Sequence, residues 1–380
     1  MHTAIEIVFW LATAMIVYIY IGYPVIIGLW AWMKEPEPVG GGPVPDCSVL
    51  LVGHDEAANL PGKLQSLYDG TLQPLEIVVA SDGSDDDTAA VLAQHAKVVY
   101  HAFAERRGKA AVLNELVPQC KGEVVVLTDA RQELAPDSLE RLLSRFADPM
   151  VGAVSGELVF RPPEDASPAA SGMDLYWTYE KFIRNSEGRV RSVPGATGAF
   201  YAIRRSLYQA IPEDSLLDDV AIPMRVVLQG YRCVFEAGAM AYDTPSTTAG
   251  KEFVRKRRTI AGNLQVVRQC PDIVKPWKNP IWFQYVSHKL IRLASPGVLL
   301  VLFACNLALL DRTLYQVAFA GQLGFYLLAY LGWVLQGLHC RSVVLGVPLM
   351  FTSLNVTTAF ALWDALRGTY EVAWDRSDKT

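Results

Sequence analysis

Four long stretches without a charged residue constrain the fold of this chain more than any other feature. They lie at residues 7–33, 294–310, 313–338 and 342–363 of a sequence of 380 residues. About 20 apolar residues in a helix cross the hydrocarbon core of a bilayer, so the second stretch is marginal and the other three are long enough. We therefore predict one transmembrane helix over residues 5–33 and three within residues 294–366.

The first stretch has one alternative interpretation, a cleaved signal peptide. Its apolar run is too long for such a peptide, and it lacks both a positively charged leader and a small-residue cleavage site. A membrane anchor is the better interpretation. All charged residues, 19% of the sequence, then lie outside the four stretches, in segments with the composition of a soluble domain.

The soluble part is predicted to be one domain over residues 47–270. Residues 34–46 are rich in proline and glycine and cannot hold a helix, so they form a linker after the first span. Residues 271–293 combine tryptophan and tyrosine with lysine and arginine, which is typical of a helix lying in the headgroup region. Residues 367–380 form a short tail.

The distribution of charge indicates the side of the membrane. Between residues 251 and 292, lysine and arginine greatly outnumber the acidic residues, and this block directly precedes a span. The positive-inside tendency therefore predicts an inner-membrane protein whose soluble domain is cytoplasmic. The net charge of −5 argues against a nucleic-acid partner. Six scattered cysteines without a CxxC pair indicate a reduced compartment and no structural metal.

Short β-branched runs alternate with helical patterns in the first half of the soluble domain. We predict strands at residues 47–52, 75–80, 98–100 and 124–127, with helices that begin near residues 57, 88 and 109. This rhythm is typical of an α/β fold with an open, doubly wound, largely parallel sheet, which binds ligands at the carboxyl ends of its strands.

Polar clusters follow three of these strands, at residues 53–56, 81–84 and 128–129. Any one cluster is explained by a solvated loop or a helix cap, but three at one sheet edge favour a binding site. Neither a P-loop nor a GxGxxG motif is present. Carboxylates at such an edge accept hydrogen bonds from a nucleoside, hold a divalent cation, or take a proton from a hydroxyl group.

The motifs at this edge resemble those of membrane-integrated family 2 glycosyltransferases, which include synthases of cellulose, hyaluronan and poly-N-acetylglucosamine. Ser48-Val-Leu-Leu-Val-Gly-His-Asp-Glu56, Ser81-Asp-Gly-Ser84 and Arg107-Gly-Lys-Ala-Ala-Val-Leu-Asn114 are similar to three family motifs. The resemblance implies a GT-A fold that binds a nucleotide sugar, with Glu56 and Asp82 at the nucleotide and Lys109 at the diphosphate.

Thr128-Asp-Ala-Arg131 occupies the position of the family's DxD motif. The resemblance implies that Asp129 binds Mg²⁺ or Mn²⁺ and the diphosphate. Arg131 replaces the second carboxylate, and the sequence leaves open whether it weakens the metal site or faces solvent beside it.

Leu217-Asp218-Asp219 matches the family's TED motif, which implies that Asp219 is the general base and Asp218 its catalytic neighbour. Asp219 has a second interpretation, the N-cap of a helix beginning near Ile222 and Pro223. Arg258 matches the arginine of the QxxRW motif and is expected to bind the diphosphate. The glutamine and tryptophan of that motif are replaced by Arg255 and Thr259, which leaves processivity open.

An acceptor site is expected between the metal and base motifs. Small residues in Pro194-Gly-Ala-Thr-Gly-Ala-Phe200 let a sugar approach the backbone, so Gly195, Thr197 and Gly198 are candidate acceptor residues. Trp177 is a further candidate because aromatic rings suit sugar faces. A glycine-rich turn and helical core packing are the respective alternatives.

The sequence thus predicts an inverting glycosyltransferase that extends a β-linked polysaccharide from a UDP-sugar at the cytoplasmic face, with export or regulatory proteins as further partners. Two alternatives remain open. One is single transfer to a lipid acceptor, such as a polyprenyl phosphate or a glycolipid, and the other is a catalytically silent nucleotide sensor or assembly subunit. The sugar and the linkage are not encoded in any motif.

Overall fold

A computed structural model describes residues 2–35, 42–160, 168–243, 249–335 and 342–367. The middle of the predicted linker, nearly all of the predicted tail and the end of the third apolar stretch lie outside these ranges.

The described soluble part is built on one eight-stranded sheet with the strand order β3-β2-β1-β4-β7-β6-β8-β5. The strands are β1 (Cys47–Gly53), β2 (Glu76–Asp82), β3 (Val98–Phe103), β4 (Val124–Thr128), β5 (Glu133–Leu134), β6 (Val151–Phe160), β7 (Phe200–Arg204) and β8 (Arg232–Asp243). The four strands predicted from the sequence are confirmed, each within three residues at either end.

The described helices surround this sheet or extend away from it. They are α1 (His2–Val17), α2 (Tyr23–Trp32), α3 (Leu60–Tyr68), α4 (Thr88–Leu92), α5 (Lys109–Leu116), α6 (Ser138–Ser144), α7 (Pro168–Val190), α8 (Asp218–Leu228), α9 (Ala249–Gln269), α10 (Trp282–Gln284), α11 (Ser295–Ala308), α12 (Thr313–Val334) and α13 (Val343–Arg367).

The first half of the sheet is parallel. Strand β1 pairs with β2 and β4, and β2 pairs with β3. Strand β4 is completely buried, as expected for a parallel strand covered on both faces. Helices α3, α4 and α5 follow β1, β2 and β3, so the carboxyl ends of β1, β2 and β4 lie at one edge.

The second half of the sheet is mixed. Strand β7 lies antiparallel between β4 and β6, and Thr128 pairs with Phe200. The amino end of β7 therefore lies beside the carboxyl end of β4. This arrangement brings the glycine-containing segment before Phe200 to the edge that carries Asp129.

Four helical segments of the described chain are long and apolar enough to cross a membrane, namely His2–Trp32, Trp282–Ala308, Thr313–Val334 and Val343–Arg367. Helix α7 packs against α2 and α13, and α9 packs against α13. The domain built on the sheet is thus in contact with candidate membrane-spanning helices from both the first and the last part of the sequence.

The second span differs from the sequence prediction. The segment Trp282–Ala308 is helical throughout, with a π-helical turn at Tyr285–Leu290 and a 3₁₀ turn at Ile291–Ala294. Residues 282–293, which form the larger part of the headgroup segment predicted at residues 271–293, are therefore continuous with this candidate span. The reason is charge compensation, because His288 and Arg292 bind carboxylates on α7.

Candidate functional site

Asp82, the last residue of β2, organises the turn that precedes α5. Its carboxylate oxygens accept hydrogen bonds from the backbone N–H groups of Arg107 (2.7 Å) and Gly108 (2.8 Å). Gly108 has a φ of +90°, which favours glycine. The turn ends at Lys109, the first residue of α5, so Asp82 supports Lys109 through the backbone of this turn.

Lys109 lies between the metal motif and the base motif. Its Nζ is 3.0 Å from Asp129 Oδ1 and 3.5 Å from Asp218 Oδ2. Burial alone would lower the pKa of Lys109, but the carboxylates of Asp129 and Asp218 outweigh burial and raise it. A positively charged ammonium group therefore lies between the metal motif and the base motif, where it can bind an anionic ligand.

Glu56 follows β1 and lies in the electrostatic field of Asp129 and Arg131. Burial raises the pKa of Glu56, and its Oε2 accepts a hydrogen bond from Asn59 (2.6 Å). The preceding residue, Asp55, has a φ of +57° and accepts hydrogen bonds from the backbone of residues 85 and 86. These bonds join the loops that follow β1 and β2.

Arg131 forms a two-pronged ion pair. Its Nε and Nη2 donate to Asp243 Oδ1 (3.0 Å) and Oδ2 (2.9 Å), and Asp243 is only 3% exposed. Arg131 is thus exposed to solvent, as one interpretation of the sequence expected, and is also paired with a buried carboxylate. Asp243 compensates the charge of Arg131, which removes an obstacle to cation binding at Asp129.

Lys63, which no sequence motif indicated, forms hydrogen bonds to the segment that contains the metal motif. It is 1% exposed, and its Nζ donates to Thr128 Oγ1 (2.7 Å) and to the carbonyl oxygen of Gln132 (2.9 Å). Burial lowers the pKa of Lys63 to about 7, although Asp129 acts against this change. The only sequence signal was a lysine on the buried face of α3.

Asp218 and Asp219 are the first two residues of α8. The helix was predicted to begin near Ile222 with Asp219 as its N-cap, and this prediction is wrong, because Leu217 is the N-cap. Burial, followed by the neighbouring Asp218 carboxylate, raises the pKa of Asp219 to about 6. Tyr201 donates a hydrogen bond to Asp218 (2.9 Å), whereas the Asp219 carboxylate has no hydrogen-bond partner among the described residues.

The segment with Gly195 and Gly198 wraps around Asp219. Pro223 lies inside α8 and has no N–H to donate to the carbonyl oxygen four residues earlier, which is that of Asp219. This oxygen accepts a hydrogen bond from the N–H of Ala196 (2.7 Å) instead. A Cβ atom on Gly198 would lie 2.9 Å from Asp219 Oδ2, so only glycine leaves the carboxylate open.

Arg258 extends from α9 toward the same carboxylates. One of its nitrogens donates to the carbonyl oxygen of Leu216 (3.3 Å), just before the base motif. Burial lowers the pKa of Arg258, while Asp218, Asp219 and Asp129 act in the opposite direction. The structure thus brings the side chains predicted at the diphosphate, the metal and the base to one place.

A cavity of about 460 Å³ lies between α7, α9 and the membrane-spanning helices. Trp177, Tyr179 and Glu180 line its α7 side, and Lys289, Arg292 and residues of α13 line the membrane side. Trp177 is thus part of a cavity wall, whereas Thr197 is not among the lining residues and accepts a hydrogen bond from Arg184 (2.7 Å).

A buried charge network closes one side of this cavity. His288 contacts Glu187 at 2.9 Å and Glu180 at 3.2 Å, and Arg292 also binds Glu180. Arg292 and His288 hold the pKa of Glu180 well below its usual value against the effect of burial. His288 is thus a hydrogen-bonding residue between two carboxylates of α7.

The donor set at Asp129 fits a divalent cation. Mg²⁺ is commonly bound by one or two carboxylates together with substrate phosphates and water, and Asp129 is half-buried at the edge where a diphosphate would lie. No group of three or more metal-binding side chains is found in the described ranges. Such a cation would therefore depend on the ligand's oxygens for most of its coordination.

The sequence and the fold of this chain are similar to those of known glycosyltransferases. Residues 48–211 match the family described as Glycosyl transferase family 2. Poly-β-1,6-N-acetyl-D-glucosamine synthase of Staphylococcus aureus (strain COL) is 24% identical over 241 residues, which are 61% of this chain and 58% of that protein. The same enzyme of Staphylococcus epidermidis is 24% identical over 243 residues, or 62% and 59% of the two chains. The chain thus spans less than two thirds of the length of these relatives.

The solved structures include a mannosyltransferase from Pyrobaculum calidifontis in complex with GDP-Man and Mn²⁺. It superposes with a TM-score of 0.72 at 22% identity, over 96% of this chain and 100% of that one. Fold and site together define a GT-A domain joined to helices that can span a membrane. The match to glycosyl transferase family 2 covers residues 48–211 of this domain.

Proposed function

We propose that this protein is an inverting glycosyltransferase that extends a β-linked polysaccharide from a UDP-sugar at the cytoplasmic face of the membrane. One observation carries the proposal. The Asp219 carboxylate has a pKa raised to about 6, makes no hydrogen bond to a described residue, and shares its edge of the sheet with Lys109, Asp129 and Arg258. A base, an anion site and a candidate cation ligand therefore converge.

The transfer needs one step. Asp219 takes the proton of the acceptor hydroxyl group, whose oxygen bonds to the anomeric carbon as the bond to the diphosphate breaks, and UDP leaves with the electron pair. Lys109 and Arg258 stabilise the charge that develops on the diphosphate. A divalent cation held by Asp129 and the diphosphate oxygens would neutralise part of that charge. Inversion at the anomeric carbon gives a β-linkage.

The acceptor is proposed to enter through the 460 Å³ cavity. Its walls carry Tyr176, Trp177 and Tyr179, and aromatic rings pack well against sugar faces. The cavity also borders the spans, as export during synthesis would require. N-acetylglucosamine is the first donor sugar to test, because the similar synthases are named for its polymer.

A lipid phosphate is the second candidate acceptor, and Lys289 favours it. This side chain lines the cavity and forms no hydrogen bond or ion pair with any residue in the described part of the chain. The burial of an unpaired ammonium group is costly unless an anion compensates it. A polyprenyl phosphate would supply that anion and place its chain among the spans.

The test is UDP release by the purified protein in nanodiscs, with a panel of UDP-sugars and GDP-mannose, Mg²⁺ or Mn²⁺, and product size by mass spectrometry. We expect a high-mass product that a β-specific glycosidase degrades. Single-sugar addition that requires polyprenyl phosphate, and that Lys289→Met abolishes, would establish the second candidate. Tight UDP binding without release from any donor would overturn both and indicate a silent nucleotide sensor.

A further inference from the structure

Arg184 is a cation of α7 that the mechanism above does not use. Its Nη1 donates to Thr197 Oγ1 and its Nη2 to Ser155 Oγ, each at 2.7 Å. The guanidinium lies 4.6 Å from the centre of the Phe235 ring. It forms no ion pair with any carboxylate in the ranges that the structure describes.

These contacts hold the segment that surrounds the proposed base. The N–H of Thr197 donates to Ser155 Oγ (2.9 Å), so Ser155 on β6 and Arg184 on α7 together fix one side of the segment. The other side is fixed by the bond from Ala196 to the carbonyl oxygen of Asp219 (2.7 Å). A shift of Arg184 would therefore move the backbone that encloses the Asp219 carboxylate.

The charge of Arg184 also acts on this carboxylate. Burial lowers the pKa of Arg184, and Asp219 is one of the acidic groups that act against this change. By reciprocity, the guanidinium favours the ionised form of Asp219. Other charged groups face Asp219 as well, because Asp218 and Asp129 raise its pKa while Lys109 and Lys289 lower it.

We propose that Arg184 is a positioning residue for sugar transfer, which fixes residues 195–198 against Asp219. The same helix presents Trp177 and Glu180 to the cavity, so one element sets both the acceptor wall and the base. The inference rests on the proposed role of Asp219.

Two substitutions separate the geometric from the electrostatic contribution. Arg184→Gln removes the charge and the two-pronged contact, and we expect kcat to fall about 100-fold, as for a misplaced reacting group. The acidic limb of the pH–kcat profile should move to higher pH, because the pKa of Asp219 rises when a nearby cation is lost. Arg184→Lys keeps the charge, so kcat should fall while the limb stays in place.

The matched control is Arg191→Gln, since Arg191 is exposed just after α7 and should leave both quantities unchanged. UDP affinity, measured by calorimetry, should be equal in all variants. The inference is overturned if Arg184→Gln keeps wild-type kcat and pH profile, or if both Arg184 variants lose UDP binding together with activity. An active Asp219→Asn variant would instead overturn the proposed function itself.

Discussion

The proposed donor side and the proposed acceptor side of the site are built differently. Glu56, Asp82, Lys109 and Asp129 lie in or next to the parallel half of the sheet, and short connections between successive strands and helices place them. The acceptor side combines α7, the segment at residues 195–198 and two membrane-spanning segments, which are far apart in sequence. The donor side is thus a property of one α/β unit, whereas the acceptor side exists only when the spans pack on that unit.

This difference predicts that substitutions on the donor side change the kinetic constants for the donor and that substitutions on the acceptor side change those for the acceptor. A substitution of the base should instead lower kcat. The largest effect is expected for Asp219→Asn. Removal of a general base typically costs 10²- to 10⁴-fold, so we expect kcat to fall by about 10³ with UDP affinity unchanged. UDP release and calorimetry measure the two quantities. Glu213→Gln, at an exposed position before α8, is the control, and residual activity above a tenth of wild type would contradict the assignment.

Asp129→Asn should act on the donor side only. Loss of the carboxylate removes both a cation ligand and the partner of Lys109, so we expect kcat/KM for the donor to fall about 100-fold, as for a lost charge-stabilising group. The concentration of Mg²⁺ or Mn²⁺ needed for half-maximal rate should also rise. A variant with normal metal dependence but an altered acceptor KM would break the proposed division.

Trp177→Ala should act on the acceptor side only. The ring lines the cavity, and its centre lies 5.4 Å from the centre of the Phe160 ring. An aromatic contact with the acceptor is worth about 1.4 kcal/mol, so its loss changes a binding constant tenfold. We therefore expect the acceptor KM to rise about tenfold with donor KM unchanged. Steady-state titration of each substrate checks this, with Trp30→Ala, on the first span, as a control. Equal increases in both constants would contradict it.

The pH profile links the two sides through the base. The raised pKa of Asp219, about 6, means that the reactive carboxylate is present above this pH and is lost as pH falls through it. Activity should therefore decline on the acidic side near pH 6. In Asp218→Asn, removal of a neighbouring negative charge lowers the pKa of Asp219, and the limb should move to lower pH. A limb that moves to higher pH would show that Asp219 does not control it.

The smallest expected effect concerns stability. Arg131→Gln removes the two-pronged ion pair of the buried Asp243, which keeps its hydrogen bond from Gln132 (2.9 Å). Because Arg131 is itself 44% exposed, solvent weakens the ion pair, and we expect the free energy of unfolding to fall by only about 1–2 kcal/mol. The change is measured as a lower Tm in detergent. Arg141→Gln, which breaks an exposed pair with Asp137, should change the Tm less. An unchanged Tm in Arg131→Gln would show that the ion pair contributes nothing.

The sequence by itself determined the number of candidate spans, the parallel half of the sheet and the order of the proposed donor residues. These features are local, since apolar length, strand patterning and strand-end motifs are all carried by short runs of residues. The sequence also indicated Asp219 by its motif, but not the start of α8, because Pro223 was expected in a first turn and lies deeper in the helix.

Only the tertiary structure decided which distant groups meet. The pairing of Arg131 with Asp243, the support of Thr128 by Lys63 and the contact of Arg184 with Thr197 each join elements that no short motif connects. The antiparallel insertion of β7 beside β4 places the segment at residues 195–198 at the donor edge. Burial against these partners, rather than residue identity alone, fixes the charge and the position of each group, and that is a property of packing.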